Sequence, residues 1–402
     1  MLRKGLAIVA LSCLLLNAAA QQKKNFNSNW QFFKDKDTSF SNDLSIKNST
    51  VKWEKISLPH TANIEPIEKV NQQWQGICFY RKFFSISTAD KGKHIALQFD
   101  AAMQEADVYL NGKHIYNHKG GYLPFYIDIS AEVKFGAENN VIVKLDNRDN
   151  PLFAPGKPLK DLDFNYYSGI YRNTWLIVKE KLYISNAVAA NTKAGGGVFI
   201  HYDKVTDKSA TIIVQTQVQN DFGEAKNAQL KILIRDKTGK IVGQSTSKNE
   251  VIKKGNAVTF TQSMDIINPA LWSPATPYLY TLSIDLLQDG KLVDRDVLKT
   301  GIKTIRFEAG AFYLNGKKII IRGTNRNQEY PYVGNALSDN AQYRDAWKIK
   351  QAGFNFVRFS HYPQSPAYLD ACDELGIMAM DAIPGWQFVG NEIFKENSYQ
   401  GY

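Results

Sequence analysis

The sequence predicts three structural units in series: a jelly-roll β-sandwich, an immunoglobulin-like β-sandwich, and the first strands of an incomplete (β/α)8 TIM barrel. Three observations predict this order. From about Asn25 to Glu180, short strands alternate with turn signals. From about Leu182 to Ile305, a second all-β stretch has period-two patterning. After Arg306 the period changes, and the order becomes strand, helix, strand, helix, strand. The expected boundaries are 1–20, 21–181, 182–305 and 306–402.

Residues 1–20 read as a signal peptide. Arg3 and Lys4 precede an apolar run, and Ala18–Ala20 supply small residues for cleavage after Ala20. The run is too short for a stable bilayer anchor. A lipoprotein reading through Cys13 is weaker, since Ala10 stands three residues upstream. A secreted or periplasmic protein is expected. Cleavage would take two positive charges from the formal +10.

In the first unit, Val108–Ile115 alternates around Asn111-Gly112, a strong hairpin cue. Tyr126–Ile129 and Val141–Leu145 continue as strands. Trp30, Trp53, Trp74 and Trp175 supply large apolar surface. In the second unit, Thr211–Val218 has period two. Turns are expected at Thr238-Gly239 and Asp289-Gly290, and Ala194–Gly197 reads as a flexible turn rather than a phosphate loop. In the third, an Asn315-Gly316 hairpin feeds the apolar run Ile319–Ile321. A helix is expected with Asp339 as cap, Ala341–Gln351 as body and Gly353 as stop. The strand Phe354–Phe359 follows. A second helix starts at Ser365 and Pro366, buries a stripe of Tyr368, Leu369, Cys372 and Leu375, and ends at Gly376. Ile377–Met380 is the next strand.

Composition narrows the function. The chain is 44% hydrophobic and 22% charged, which excludes a disordered or polytopic membrane protein. Its lysines are scattered, with no basic stripe interleaved with aromatics, so no nucleic-acid partner is expected. Three cysteines exclude a disulfide scaffold, and Cys78 and Cys372 are expected as buried free thiols.

In a (β/α)8 barrel, chemistry sits at the C-terminal ends of strands. Three such ends are visible: 321–329, 358–363 and 381–386. The segments IRGTNRNQEYP, NFVRFSHYP and CDELGIMAMD resemble barrel-opening motifs of glycoside hydrolase family 2, the family of β-galactosidases, β-glucuronidases and β-mannosidases. Leu58–Thr61, Tyr80–Phe83, Ala106–Gly112, Ser168–Arg172, Leu271–Pro274 and Gly301–Thr304 are similar to further family segments, in the family's order.

The resemblance implies hydrolysis of β-glycosides with retention. Two glutamates roughly 5 Å apart would act as acid/base and nucleophile. β-Galactosidase-like specificity is the first expectation. Only 97 residues follow Ile305, whereas a whole barrel takes about 250. The catalytic pair is therefore expected to be missing, and the 402 residues to be inactive alone. Trp386–Glu392 superficially resembles the acid/base motif, making Glu392 a candidate. It lies 31 residues after His361 without the usual intervening helix and strand, so a surface loop carboxylate is the preferred reading.

The implied sugar-binding residues are Asp163, His361, Arg358, Asn327 and Trp386. Asp163 would reach in from the jelly roll. His361 would hydrogen-bond a sugar hydroxyl, or else tie its loop to the sheet. Arg358 would orient a catalytic glutamate or the sugar, or form a barrel-interior ion pair. Asn327 stands where β-galactosidases carry a histidine. Trp386 would stack on a pyranose or pack in the core, and Glu329 would touch sugar or cap a loop. No metal or cofactor is expected. The expected partners are a β-linked oligosaccharide or glycoside, with a second copy or a complementing chain as further options. The alternatives are a non-catalytic carbohydrate-binding protein and one subunit of a split glycosidase.

Overall fold

A computed structural model describes residues 22–35, 51–66 and 69–399. The expected signal peptide and Cys13 lie outside the described residues. Among the described residues, no helix is long and apolar enough to cross a membrane.

The first unit is a sandwich of two antiparallel sheets. One has four strands in the order Gln22–Asn25, Thr174–Lys179, His94–Phe99, Phe125–Asp128. The other has six: Glu54–Ile56, Trp30–Lys34, Ile77–Ser85, Glu138–Asp146, Glu105–Leu110, Lys113–Lys119. The Asn111-Gly112 hairpin forms as expected, with both residues at positive φ (54° and 89°), the conformation a tight two-residue turn needs. Trp30, Tyr80, Phe99, Phe125 and Val143 fill the space between the sheets.

His94–Phe99 is buried along its whole length, because its outer face meets the second unit. There His94 Nδ1 lies 3.3 Å from Asp221, and Tyr183 stacks on its ring at 4.5 Å. Beside this contact, Lys179 Nζ lies 3.1 Å from Asp294 and donates to the Ile184 carbonyl. Both ions are almost completely buried. The Ile184 amide donates to the same Asp294 carboxylate. Each ion thus gains a backbone partner, which offsets part of the cost of removing charge from water.

The second unit packs a sheet of Leu182–Ile184, Ser209–Asn220, Val198–Asp203 and Ala257–Ile267 against one centred on Lys226–Arg235, Tyr280–Gln288 and Lys291–Thr300. Ser209–Asn220 alternates buried and half-buried residues along its length, as a strand with one core face must. Asp289 and Gly290 take positive φ in the turn expected there.

The third unit opens with an antiparallel hairpin sheet, Ile305–Glu308, Ala311–Leu314 and Lys317–Lys318, turning at Asn315-Gly316. Three parallel strands follow: Gly323–Arg326, Phe356–Phe359 and Met378–Met380. Helices Asp339–Gln351 and Pro366–Leu375 cross between them. Val357 and Phe359 point to these helices and are fully buried with Ala346, Tyr368, Ala371 and Cys372. Phe356 and Arg358, by strand alternation, face the other way. A cavity of about 600 Å³ between the hairpin sheet, the parallel strands and the helix Pro366–Leu375 is lined by Phe307, Phe312, Ile321, Phe356, Leu369 and Met378.

Three sequence expectations change in detail, and a fourth holds. The helix cap is Ser338, whose hydroxyl accepts from the Ala341 amide, and Asp339 is the first helical residue. Serine and aspartate are near-equal caps. The buried stripe of the second helix includes Ala371, while Leu369 is turned toward the cavity and partly exposed. The first parallel strand starts at Gly323, so the run 319–321 precedes it. Ile320 and Ile321 are exposed. Asn355 binds this run instead: its side chain donates to the Ile320 carbonyl and accepts from the Arg322 amide. Cys78 and Cys372 are buried free thiols, as expected, and burial pushes each up to about 12.

Replacing Lys179 with Met leaves Asp294 buried and uncompensated. The expected loss is about 3–5 kcal/mol of stability by urea denaturation. The double variant Lys179→Met, Asp294→Leu should recover most of it, and failure to do so would show that the backbone bonds, not the charges, carry the joint.

Candidate active site at the jelly-roll and barrel junction

The candidate site lies where a jelly-roll loop, 147–172, meets the C-terminal ends of the parallel strands. Its foundation is a shared core. Met103, Tyr122, Leu159, Leu162, Phe164, Tyr166 and Tyr171 of the first unit pack with Tyr362 and Phe394 of the third. Tyr122 and Tyr362 stack at 4.3 Å. Arg172 is buried across the seam. It donates to the Tyr122 carbonyl at 3.0 Å, to Gln328 Oε1 at 3.3 Å and to the Pro363 carbonyl at 2.6 Å. Gln328 in turn donates to the Asn335 carbonyl, and its amide donates to the Tyr362 hydroxyl.

Over this core the structure brings four of the five expected sugar-binding residues together. His361 Nε2 lies 3.5 Å from Asp163 Oδ1. Arg358 Nη2 lies 3.4 Å from His361 Nδ1. The rings of His361 and Trp386 are 5.8 Å apart, and Phe164 touches both, at 5.6 and 6.5 Å. His361 is largely buried, while Asp163 is half exposed and open to a ligand. Asn327 is exposed at the end of the first parallel strand, and no side-chain contact joins it to this group.

Burial lowers the His361 pKa below 6.5; Asp163 pulls it up, and Arg358 pushes it down further. A neutral imidazole follows near pH 7. A neutral ring can both donate and accept, which suits a sugar hydroxyl. Arg358 meets Ser360 Oγ and His361 without a carboxylate among the described residues, so the alternative reading, an interior ion pair, finds no partner there. The Trp386 ring carries the Lys157 ammonium at 4.5 Å and packs on the shared core. The core reading of Trp386 therefore has direct contacts behind it. Glu329 accepts from Asn165 Nδ2 and the Tyr167 hydroxyl, both at 2.8 Å, which makes it a loop tie.

Glu392 is not in a loop. It opens the helix Glu392–Tyr399, is exposed, and pairs with Lys395 at 2.6 Å. A carboxylate in a first helical turn is favoured by the positive end of the helix dipole. Among the described residues, no group of three His, Cys, Asp or Glu side chains could hold a metal ion. Sequence reasoning missed Arg172, Gln328, Phe164 and Lys157. The first lay inside a quoted motif without a role. A buried arginine whose acceptors lie on Tyr122, Gln328 and Pro363, far apart in sequence, leaves no periodic signal.

Family models match along most of the chain. The glycosyl hydrolases family 2 sugar binding domain matches 27–180, the Glycosyl hydrolases family 2 model matches 196–303, and the family's TIM barrel domain matches 305–401. The chain is 34% identical to a β-galactosidase of Thermoanaerobacter pseudethanolicus, covering 92% of this chain and 48% of that protein. It is 30% identical to a β-glucuronidase of Bacteroides fragilis, covering 99% and 56%. Among solved structures, Bacteroides uniformis β-glucuronidase 2, covalently bound to cyclophellitol-6-carboxylate aziridine, aligns with a TM-score of 0.80 at 31% identity, over 91% of this chain and 42% of that one. A family 2 member from Bacteroides cellulosilyticus aligns at 0.76 and 31%, over 90% and 47%. The chain spans about half the length of these relatives.

NMR titration should place His361 below 6.5, with Asp163→Asn moving it lower and Arg358→Met moving it higher. Since the folded ring binds its proton less readily than the unfolded one, this residue's contribution to stability is full above pH 6.5 and is lost as pH falls toward the lowered folded value. A midpoint at or above 6.5 would mean that Asp163 outweighs burial.

Proposed function

The chain belongs to glycoside hydrolase family 2, and on that premise we propose that it builds the sugar-holding wall of a retaining β-glycosidase. The observation that carries this is the approach of Asp163, from one sandwich, to His361, at the end of a barrel strand, at 3.5 Å. Two domains have no packing reason to bring a half-exposed carboxylate and a polar ring to one spot beside aromatic surface. A saccharide supplies the reason: hydroxyls for the polar pair and C–H faces for the rings.

In this reading His361 and Asp163 fix the sugar by its hydroxyls. Arg358, free of a protein carboxylate among the described residues, orients either the sugar or a catalytic carboxylate. The acid/base and nucleophile are proposed to stand on barrel segments other than the three strands described, with Glu392 outside the chemistry. Galactosides and glucuronides are the substrates that relatives' names suggest, and the galactoside is the first expectation from the sequence. Export is proposed as well, on the pattern of residues 1–20.

Calorimetry on the 402-residue chain with methyl β-galactoside and methyl β-glucuronide tests this. Binding without hydrolysis of aryl glycosides is expected. Asp163→Ala and His361→Ala should each weaken binding by about tenfold or more, the size of one hydrogen bond involving a charged group. Glu392→Gln should leave binding as it is. Hydrolysis by these residues alone would overturn the separation of holding from chemistry. Unchanged binding in both alanine variants would overturn the assignment of the wall.

A further inference from the structure

Where the jelly roll meets the end of the first parallel strand, a second polar cluster is left with surplus oxygens. Its centre is Tyr167. The hydroxyl donates to Glu329 Oε1, which also accepts from Asn165 Nδ2, both at 2.8 Å. Asn165 Oδ1 accepts from the Asn71 amide at 2.9 Å. Glu65 Oε1 accepts from the Trp74 amide at 2.7 Å and from Asn63 Nδ2. Burial raises the Tyr167 pKa; the bond to Glu329 and the charges of Glu329 and Glu65 raise it further, while Gln73 bonds the hydroxyl and lowers it. Two carboxylates and the Gln73 amide thus act on one hydroxyl.

Donors and acceptors are used unevenly here. The amide donors are engaged: Asn63 with Glu65, Asn71 with the Leu162 carbonyl, Asn165 with Glu329, and Gln73 with the Lys69 carbonyl at 2.8 Å. Three acceptors remain. Glu65 Oε2, Asn71 Oδ1 and Gln73 Oε1 are buried without a hydrogen-bond partner among the described residues. Gln73 is only 5% exposed. The basic side chains of adjoining elements are placed elsewhere. Lys34 donates to Asn63 Oδ1 at 2.6 Å and Arg344 to the Tyr330 hydroxyl at 3.1 Å, while Lys69 is exposed and meets the cluster through its carbonyl.

A buried oxygen with no donor costs free energy, and a buried carboxylate oxygen costs more than an amide one. When every orphan is an acceptor and two negative charges stand beside them, one cation satisfies them together. Carboxylate and amide oxygens, with no histidine or cysteine among them, are the ligands of a hard ion.

We propose that Glu65, Asn71, Gln73 and Glu329 form a site for a hard divalent cation, calcium or magnesium, that pins the jelly-roll loop 63–74 to the end of the first barrel strand. The barrel side is already held close: the Thr61 hydroxyl donates to the Val333 carbonyl at 2.6 Å, and an added Cβ on Gly334 would lie 3.1 Å from the Tyr167 ring. Because Asn165 and Tyr167 share a loop with Asp163, the cation would also stiffen the segment that presents Asp163. The inference stands apart from the sugar reading and does not need it. With two carboxylates and two amides, the affinity expected is about 0.1–1 mM.

Calorimetric titration of calcium chloride, and separately of magnesium chloride, into the chelator-treated 402-residue chain tests this. At least one of the two should bind at a single site and raise the melting temperature. Glu65→Gln, which keeps an oxygen for the Trp74 amide, should weaken binding about tenfold or more. Gln73→Glu should tighten it by adding a charge, a gain that misfolding does not produce, so the inference stays testable if Glu65→Gln unfolds the chain. Glu392→Gln should leave metal binding as it is. Neither heat nor a melting shift at about 10 mM of either metal, well above the expected range, would overturn the inference. Binding unchanged in both Glu65→Gln and Gln73→Glu would overturn it as well, by placing the ion elsewhere on the surface.

Discussion

The geometry of this molecule depends on one buried guanidinium. Arg172 leaves the jelly roll at the end of its last loop and donates to a carbonyl on each side of the seam. A guanidinium has five fixed donors and no acceptor, so it holds only where carbonyl oxygens are arranged to meet it. The Pro363 carbonyl and Gln328 provide that on the barrel side. Because Pro363 lies two residues after His361, the bond that joins the domains also fixes the height of the histidine. Tyr122 and Tyr362, stacked beside it, exclude water and strengthen each of these bonds.

The second sandwich acts as a brace rather than a wall. It grips the jelly roll through the Lys179 and Asp294 pair and the barrel through Trp272, whose indole donates to the Asp373 carbonyl at 2.8 Å. Lys350 adds a bond to the Pro274 carbonyl, and Gly376 packs so tightly on Pro274 that a Cβ would sit 2.6 Å from its carbonyl oxygen. The jelly roll and the barrel are therefore tied twice, directly at the candidate site and again through the middle unit. Two ties at different points restrict rotation far more than one, which suits a site whose halves belong to different folding units.

Most of the fold was legible in the sequence because its signals are local. Asn111-Gly112, Asp289-Gly290 and Asn315-Gly316 announce their hairpins, since few other residue pairs accept positive φ twice. Period-two strands such as Ser209–Asn220 announce one buried face. The boundaries were less legible. The run Ile319–Ile321 looks like a strand, yet pairing begins at Gly323, because ladder register is set by the partner strand and by Asn355, which local hydropathy does not contain. At the site, polar residues directly after apolar runs marked His361 and Arg358. Asp163 was marked only through the family resemblance. Arg172 and Lys157 stayed hidden because their meaning arises only across 156 or more residues of separation.

The seam has a consequence for how such a chain can change over generations. Domain by domain it looks like a cassette that shuffling could reassemble, each sandwich with its own core. Yet Phe164 and Tyr166 share one hydrophobic cluster with Tyr362 and Phe394. Exchanging the leading sandwich for a foreign one would strip the neighbouring fold of part of its own interior. Lineages built on this plan are expected to inherit both pieces as one indivisible block, whatever happens to the loops around them.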